Sequence, residues 1–333
     1  MSAHQHLIFS PEVPATGSIV LPAFRARHAR RPGHLTIRYT RSSDPALGLP
    51  VVVVLGGVSA NADVIACADR SPGWWCTQAG TGCALDTNRY DVISMDFITG
   101  GGIDGADCRH IATGDQADAL AALLNALHIR RLHAFVGASY GAMVALCFAA
   151  RYPERLARLI AISGAHVAHP RAVAIRSIQR RIIHLARDAG KPAEGVALAR
   201  ALAIAGYREH AEFAARFSGP PKRFHKGFRF PVEDYLEHNG RKYAARVDAD
   251  DYYQLCESLD LHDVDPSGIT TPATLIAADP DFLVPLSQMQ ELAERLRGPA
   301  QLHVLRTAYG HDAFLKEPVA IAGLLRDALE VAA

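Results

Sequence analysis

The sequence predicts an α/β protein built on a mainly parallel sheet with helices on both faces. Short apolar runs rich in β-branched residues alternate with segments of helical periodicity along much of the chain. The first clear run, residues 51–55 (VVVVL), ends at two glycines and has the continuous apolar character of a strand buried on both faces. Strands that alternate with helices are joined by right-handed crossovers, which makes them parallel.

The sheet-forming parts of the chain contain six predicted strands and three predicted helices. The strands are residues 51–55, 91–97, 133–136, 156–163, 274–278 and 302–305. The helices are 115–127, 142–151 and 286–296, and the second is expected to end near Pro153. Thr113 or Gly114 is the expected cap of the first helix, and Asp115 and Asp118 are expected in its first turn.

Residues 166–265 break this alternation and predict a helical lid inserted into the α/β core, which then comprises residues 1–165 and 266–333. The segment holds several amphipathic stretches with helical spacing, followed by a polar stretch that begins at two prolines. Its first stretch is rich in arginine, at Arg171, Arg176, Arg180 and Arg181.

Composition limits the classes of partner. The chain has 333 residues, 49% of them hydrophobic, enough for one large core and an insertion. The net charge of +1 gives no reason to expect a nucleic acid or an anionic membrane as a partner. No apolar run is long enough for a transmembrane helix. Residues 1–17 show no signal-peptide pattern, so a cytoplasmic location is expected. The six cysteines show no metal-ligand spacing, so reduced thiols and no bound metal are expected.

The most informative motif is Gly-Ala-Ser-Tyr-Gly at residues 137–141, which matches G-x-S-x-G. It lies between an apolar strand and an alanine-rich helix, where such a sharp turn exposes the hydroxyl of Ser139 as a nucleophile. The two flanking glycines let the strand and the helix approach each other closely. The motif therefore predicts an α/β-hydrolase fold with Ser139 as the nucleophile.

The other two members of a catalytic triad follow in the order that this fold requires, the acid and then the histidine. Asp281 follows the next-to-last predicted strand and is the expected acid, with Asp279 as the alternative. His311 follows the last predicted strand and is the expected base. The backbone N–H groups of Val58, after the first strand, and of Tyr140 are the expected oxyanion hole.

A second glycine motif predicts no site. Gly100, Gly102 and Gly105 fit the G-x-G-x-x-G spacing of dinucleotide-binding proteins. No helix is predicted at the third glycine, and no acidic residue follows at the required distance. A loop is the preferred interpretation.

Several segments resemble the homoserine acyltransferases of methionine biosynthesis that have the α/β-hydrolase fold, over about residues 50–316. Segment 310–315 (GHDAFL) resembles the family's histidine motif, and segment 281–285 (DFLVP) resembles its acid motif. In the lid, segments 195–200 (GVALAR), 207–208, 246–250 (RVDAD) and 262–263 are similar to further family signatures. The chain departs from the family in carrying Tyr140 after the nucleophile, where methionine is usual, and in having Arg176 at a lid position expected to be neutral.

The resemblance implies roles for individual residues. Ser139, Asp281 and His311 would form the triad. Arg200 would bind the carboxylate of the acceptor amino acid, Tyr207 would line the same pocket, and Asp312 would bind the ammonium group. This assignment agrees with the chemistry of an amino acid, since a planar guanidinium binds a carboxylate with two parallel hydrogen bonds.

The predicted reaction is a ping-pong acyl transfer from acyl-CoA, as co-substrate, to L-homoserine without a bound cofactor. Succinyl-CoA is the preferred donor because its acyl group carries a carboxylate that needs a cation on burial. Arg176 and Arg180 are the candidates for that cation. Acetyl-CoA as donor, serine as acceptor, an esterase-like hydrolase and a non-catalytic binding protein are the alternatives. The lid is expected to form a homodimer.

Overall fold

A mixed nine-stranded sheet forms the centre of the part of the chain that the structure describes. The computed structural model describes residues 14–106, 108 and 110–330, so most of the segment examined for a signal peptide lies outside it. Its strands are β1 (Ala15–Phe24), β2 (Gly33–Arg41), β3 (Val51–Leu55), β4 (Asp91–Met95), β5 (Ile103–Asp104), β6 (Ala134–Ala138), β7 (Leu159–Ile162), β10 (Ala273–Asp279) and β11 (Ala300–Arg306). A separate hairpin contains β8 (Lys222–Phe224) and β9 (Gly227–Arg229).

The sheet order is β1-β2-β4-β3-β6-β7-β10-β11, with β5 paired to β2. All neighbours from β4 to β11 are parallel, which confirms the predicted α/β fold class. β1, β2 and β5 add an antiparallel edge that the sequence did not predict. The first of these strands alternates between more buried and more exposed positions, and its apolar residues 19–24 include Pro22, so its pattern was weaker than that of the parallel strands.

Ten helices accompany the strands in the described residues. They are α1 (Thr113–Ala126), α2 (Tyr140–Arg151), α3 (Pro170–Asp188), α4 (Pro192–Ala205), α5 (His210–Phe217), α6 (Pro231–Ala244), α7 (Ala249–Asp260), α8 (Leu286–Arg295), α9 (Ala313–Lys316) and α10 (Pro318–Glu330). The three predicted core helices are confirmed as α1, α2 and α8. The predicted cap of α1 was wrong, because Thr113 and Gly114 both lie inside the helix.

The start of α1 is stabilised by the side chain of Asp115 instead. Its Oδ2 accepts a hydrogen bond from the backbone N–H of Ala112, and its Oδ1 accepts one from that of Arg27. A carboxylate in the first turn satisfies N–H groups and also interacts favourably with the helix dipole. The glycine-rich segment before α1 contains a short turn at Gly100–Gly102 and strand β5, and no helix begins at Gly105.

The parallel strands place alternate residues in two hydrophobic layers, one on each face of the sheet. Val53, Leu55 and Phe135 pack on the face covered by α1, α2 and α8. Val52 and Val136 pack on the opposite face, against Trp75 and α10. A strand buried on both faces reads as a continuous apolar run for this reason.

Helices α3 to α7 and the β8–β9 hairpin make up the segment predicted as the lid. Helices α3, α4, α6 and α7 share a small core of their own, which includes Ile183, Val196, Tyr243 and Tyr252. The two connections to the sheet lie side by side, because Val167 and Asp263 form a β-bridge and the N–H of Val264 donates to the carbonyl of His166. No helix of the described residues has the length and apolar character needed to cross a membrane.

Candidate active site

Ser139 lies in a tight turn between β6 and α2. It has a positive φ of 54° with ψ −114°, a backbone conformation that few non-glycine residues adopt. A Cβ added to Gly137 would lie 2.3 Å from the carbonyl oxygen of Gly141, and one added to Gly141 would lie 2.1 Å from that of Leu55. Both flanking glycines are therefore required by close backbone approach, as the sequence predicted.

The structure brings Ser139, His311 and Asp281 into one hydrogen-bonded line. Ser139 Oγ is 2.7 Å from His311 Nε2, and His311 Nδ1 is 2.7 Å from Asp281 Oδ2. The other carboxylate oxygen, Oδ1, accepts the N–H groups of Leu283 and Val284 at 2.8 and 3.0 Å. Asp279, the alternative acid, is the last residue of β10 and lies opposite Arg306 of β11. The geometry thus favours Asp281 as the acid.

The surroundings of His311 favour its protonated form. Burial by itself lowers the pKa of the imidazole, but the charge of Asp281 and its hydrogen bond to Nδ1 raise it more. The net effect is a His311 pKa above the usual value for histidine. A base of this kind accepts the proton of a serine hydroxyl readily, and the neighbouring carboxylate stabilises the imidazolium that results.

The two expected oxyanion donors flank the nucleophile. Tyr140 is the first residue of α2, where a backbone N–H has no acceptor within the helix. Val58 follows Gly56 and Gly57, and the carbonyl of Gly56 accepts the N–H of Gly141 at 2.9 Å. This bond ties the loop after β3 to the nucleophile turn. The N–H groups of Val58 and Tyr140 remain the predicted oxyanion hole.

A cavity between the sheet and the lid contains Ser139 and His311 on its floor. Arg200, Tyr207 and Asp312, the predicted acceptor-binding residues, line its walls. Arg200 Nη1 donates to the Tyr207 hydroxyl at 3.0 Å, and its guanidinium lies 4.7 Å from the ring centroid of Tyr243.

Arg200 and Asp312 differ in whether each is paired with a side chain of opposite charge. Among the described residues Arg200 forms no ion pair with a carboxylate, whereas Asp312 Oδ2 accepts a hydrogen bond from Arg208 Nε at 3.1 Å. Burial lowers the pKa of Arg200, and the neighbouring Tyr207 and Tyr243 raise it above its ordinary value. Arg200 therefore remains charged in the cavity.

The two arginines expected to select the acyl group occupy different positions. Arg176 lines the cavity, while Arg180 is not among the described residues that line it. Both bind Asp260: Arg176 Nε donates to Oδ1 at 2.5 Å and Arg180 Nη1 donates to Oδ2. Arg176 Nη2 is buried without a hydrogen-bond partner in the described residues. Arg171 and Arg181 are exposed.

Comparison with known proteins identifies the family. A family model of the α/β hydrolase fold matches residues 50–318. Homoserine O-succinyltransferase of Xanthomonas campestris pv. campestris is 43% identical over 325 residues, which cover 95% of this chain and 86% of that protein. The chain belongs to the homoserine O-acyltransferase family of the α/β-hydrolase fold. The resemblance identified in the sequence is thereby confirmed.

Other members of the homoserine O-acyltransferase family differ in their named donor or acceptor. Homoserine O-acetyltransferase of Thermobifida fusca is 34% identical, with 78% of each chain covered. Serine O-succinyltransferase of Frateuria aurantia is 33% identical, with 83% of this chain and 88% of that protein covered. The crystal structure of homoserine O-acetyltransferase from Bacillus anthracis superimposes with a TM-score of 0.85 at 19% identity, covering 96% of this chain and 98% of that one. This last likeness concerns the fold.

Tyr140, where the homoserine O-acyltransferase family usually has methionine, has a specific structural role here. Its fully buried hydroxyl lies 2.7 Å from Ser258 Oγ on α7 and accepts a hydrogen bond from Gln116 Nε2 at 3.2 Å. The pKa of this phenol is raised by burial, so the hydroxyl stays protonated. Tyr140 therefore connects the nucleophile turn directly to the lid.

Three residues around the cavity were not predicted from the sequence. Asp260 binds both candidate acyl-site arginines, Ser258 contacts Tyr140, and Arg208 binds Asp312. Each of these contacts joins residues at least 80 positions apart in the chain. Arg208 also forms a local pair with Glu212. Only the segment 207–208 had a signal, through its resemblance to the family.

Proposed function

We propose that this protein is an acyl-CoA:L-homoserine O-acyltransferase of methionine biosynthesis that prefers succinyl-CoA. The observation that carries the proposal is the cavity itself. It contains the Ser139–His311–Asp281 line together with two lid arginines, Arg200 and Arg176, that have N–H groups available for carboxylates. Succinylated homoserine carries one carboxylate at each end, so two separate cationic groups suit it.

In the first half-reaction Ser139 Oγ attacks the thioester carbonyl of acyl-CoA and transfers its proton to His311 Nε2. Asp281 holds Nδ1 and stabilises the imidazolium. The N–H groups of Val58 and Tyr140 would stabilise the oxyanion, and losing one such donor typically costs about 10²–10³ in rate. The thiolate of coenzyme A leaves with the proton from His311, and the acyl group remains on Ser139 as an ester.

In the second half-reaction the side-chain hydroxyl of homoserine gives its proton to His311 and attacks the ester on Ser139. Ser139 then leaves and recovers the proton. Water competes with homoserine for the same ester, so transfer depends on holding the acceptor in place and on excluding water with the lid. A contact between the lid and the segment that carries the base supports this coupling, since the backbone N–H of His311 donates to the backbone carbonyl of Tyr207 at 2.8 Å.

The acceptor residues are expected to act mainly in the second half-reaction. Arg200→Met should slow transfer of the acyl group to homoserine by about ten- to a hundredfold, because a hydrogen bond to a charged group contributes about 1.5–3 kcal/mol. Acyl-enzyme formation should remain nearly unchanged. Stopped-flow thiol release without acceptor, followed by addition of homoserine, separates the two steps.

Two further variants make this test specific. Asp312→Asn should show the same selective defect, whereas Arg200→Lys should fall between wild type and Arg200→Met because lysine keeps the charge but lacks the planar fork. Equal slowing of both half-reactions by Arg200→Met would contradict its assignment to the acceptor.

The donor preference is proposed from Arg176. A buried donor without a partner costs about 1–3 kcal/mol, and the carboxylate of a succinyl group would supply the missing acceptor for Nη2. An acetyl group carries no such acceptor. Arg176 and Ser139 also line the same cavity, which supports a contact between this guanidinium and an acyl group on Ser139.

Neutralising Arg176 is therefore expected to change donor preference rather than overall activity. Arg176→Met should lower kcat/KM for succinyl-CoA by about ten- to a hundredfold and leave acetyl-CoA nearly unaffected. Arg181→Met, which changes an exposed arginine of the same helix, is the matched control, and Arg171→Met and Arg180→Met complete the series. A wild-type preference for acetyl-CoA would overturn the donor assignment.

The proposed function as a whole is tested by a thiol-release assay that crosses acetyl- and succinyl-CoA with homoserine and serine. Release of coenzyme A should depend on homoserine and be fastest with succinyl-CoA. Serine is one methylene shorter than homoserine, and enzymes discriminate only modestly on that scale. The ratio of the rates with homoserine and with serine therefore tests the proposed acceptor. Thiol release that is independent of any acceptor would favour the esterase-like alternative.

We further propose that the protein is a homodimer joined through the lid. A groove between α4, α6 and the β8–β9 hairpin exposes large apolar side chains, with Leu198 61% and Phe228 64% exposed. Contiguous exposed apolar surface is typical of an interaction site, and two-fold pairing is the commonest closed arrangement.

Sedimentation velocity at micromolar concentration is expected to show a dimer. Phe228→Asp should shift the protein towards the monomer, because it places a charge in the apolar groove. Val319→Asp, at an 85% exposed valine on α10, should have no effect. A wild-type monomer under these conditions would rule out the dimer.

The proposal includes no bound cofactor or metal and no nucleic-acid or membrane partner. Its small-molecule substrates are acyl-CoA, as co-substrate, and L-homoserine. We propose a cytoplasmic location, where acyl-CoA thioesters are available to such an enzyme.

A further inference from the structure

A buried group of charged side chains from two lid helices forms part of the cavity wall. We name it the Asp260 cluster; it consists of Arg176 and Arg180 of α3 and Asp260 at the end of α7. The side chains of Arg176 and Asp260 are each 9% exposed, and that of Arg180 is 18% exposed. One carboxylate thus lies between two guanidinium groups, and the cluster has a net charge of +1.

The hydrogen bonds within the cluster determine the orientation of Arg176. Asp260 Oδ1 accepts a hydrogen bond from Arg176 Nε, while Oδ2 is occupied by Arg180 Nη1. A guanidinium group is planar and rigid, so anchoring Nε also determines the direction of its other N–H groups. Arg176 Nη2 is buried and has no partner among the described residues, and Arg176 lines the cavity that contains Ser139.

The other polar side chains near Arg176 that the structure describes do not provide a negative charge that could anchor its guanidinium. Gln179 Oε1, one helical turn along α3 from Arg176, accepts hydrogen bonds from the Tyr252 hydroxyl at 3.2 Å and from Cys256 Sγ at 3.5 Å. Burial raises the pKa of the Cys256 thiol to about 12, so it is neutral. Asp260 is therefore the anionic group that the described contacts provide for Arg176.

Asp260 is itself connected to the nucleophile turn through α7. Ser258, two residues earlier, is fully buried, and its Oγ lies 2.7 Å from the hydroxyl of Tyr140. Gln116 supports the same hydroxyl and also bonds to both backbone groups of Ile98. The end of α7 is thus fixed to the helix that begins directly after Ser139, so Asp260 and Ser139 belong to one connected framework.

We propose that Asp260 is a positioning residue for donor selection: it orients Arg176 so that a free N–H group meets the terminal carboxylate of an acyl group on Ser139. This inference rests on the proposed function and deepens it, because it names the residue that makes Arg176 selective. Asp260 contacts no substrate atom in this arrangement and acts through Arg176. Arg180 occupies the second carboxylate oxygen and holds Asp260 from the opposite side.

A simpler role for Asp260 is charge balance. In that role only the net charge of the cluster matters, and the hydrogen bond from Arg176 Nε to Asp260 does not. The two roles predict different results for Asp260→Asn/Arg180→Met. This double variant removes one anion and one cation, so the net charge of the cluster stays at +1, but the carboxylate that anchors Arg176 is lost.

The experiment compares wild type, Asp260→Asn, the double variant and the control Asp250→Asn in thiol-release kinetics with succinyl-CoA and acetyl-CoA. Asp250 also lies on α7 and pairs with a lid arginine, Arg187, but its side chain is 73% exposed. We expect both Asp260 variants to lower the succinyl-to-acetyl ratio of kcat/KM at least about tenfold, mainly through a higher KM for succinyl-CoA. The control should keep the wild-type ratio.

An unchanged donor ratio in Asp260→Asn would overturn the inference, and so would restoration of the wild-type ratio in the double variant, since that result indicates charge balance. If Asp260→Asn does not fold by circular dichroism, the double variant decides. If neither folds, Asp260→Glu replaces them, because it keeps the charge and displaces the carboxylate by one methylene; the same loss of ratio is expected, and an unchanged ratio overturns the inference. Failure of the proposed function appears separately, as absence of homoserine-dependent thiol release or preference for acetyl-CoA in wild type.

Discussion

Replacing Ser139 with alanine is expected to abolish the covalent acyl-enzyme and to lower kcat by about 10⁶-fold, the size of the loss typical when a triad serine is removed. The reason is geometric, since Ser139 Oγ lies 2.7 Å from His311 Nε2 at the start of α2. Intact-mass measurement of wild type mixed with acyl-CoA, without acceptor, should show one added acyl group. The same measurement on Ser139→Ala should show none.

Ser59 provides a matched control for this experiment. It is also a serine of the cavity wall, but it forms no described hydrogen bond with His311. Ser59→Ala should therefore keep both the mass adduct and most of the activity. An adduct that persisted in Ser139→Ala would contradict the assignment of the nucleophile and would direct attention to another cavity residue.

Asp281→Asn is expected to lower kcat by about 10⁴-fold while leaving the fold intact. The carboxylate holds His311 Nδ1 at 2.7 Å, so Nε2 is left free to accept the serine proton. An amide in its place favours the wrong tautomer. Asp279→Asn is the control, because Asp279 lies in strand β10 beside Arg306 and was the alternative acid. A larger loss in Asp279→Asn than in Asp281→Asn would reverse the assignment.

The rate of acylation is expected to depend on pH through the protonation of His311. His311 must be neutral to accept the proton, and its pKa lies above the usual histidine value, since burial lowers it less than Asp281 raises it. The rate of thiol release without acceptor should therefore fall as the pH falls through a midpoint above 6.5. Asp281→Asn removes the raising charge and leaves the burial, so its midpoint should be lower.

The parallel part of the sheet and the hydrogen-bonded line of Ser139, His311 and Asp281 were predictable because their signals are local. Residues 51–55 show a continuous apolar run since both faces of β3 are covered, and the nucleophile turn needs two glycines at fixed positions. Asp281 and His311 each follow a strand end, and the carboxyl ends of parallel strands meet at one edge of a sheet. Their order in the chain and their positions after strand ends were therefore sufficient to predict that they lie close together.

Other features had only weak local signals. The β1–β2 edge alternates between exposed and buried residues, and the β8–β9 hairpin lies in a polar stretch with exposed side chains. The start of α1 was misassigned because the side chain of Asp115 stabilises it from inside the first turn. In these cases local propensity was outweighed by pairing or by a side-chain contact.

The sequence by itself determined the fold class, the family and the choice of Ser139, Asp281 and His311 as the proposed triad, because each depends on short patterns and on their order along the chain. Only the tertiary structure decided which lid arginine reaches the cavity. Arg176 and Arg180 lie one helical turn apart on α3 and have the same chemistry, but Arg176 lines the cavity and Arg180 does not. Their shared partner, Asp260, is 80 or more residues away in sequence, and its contact with them depends on how two lid helices pack.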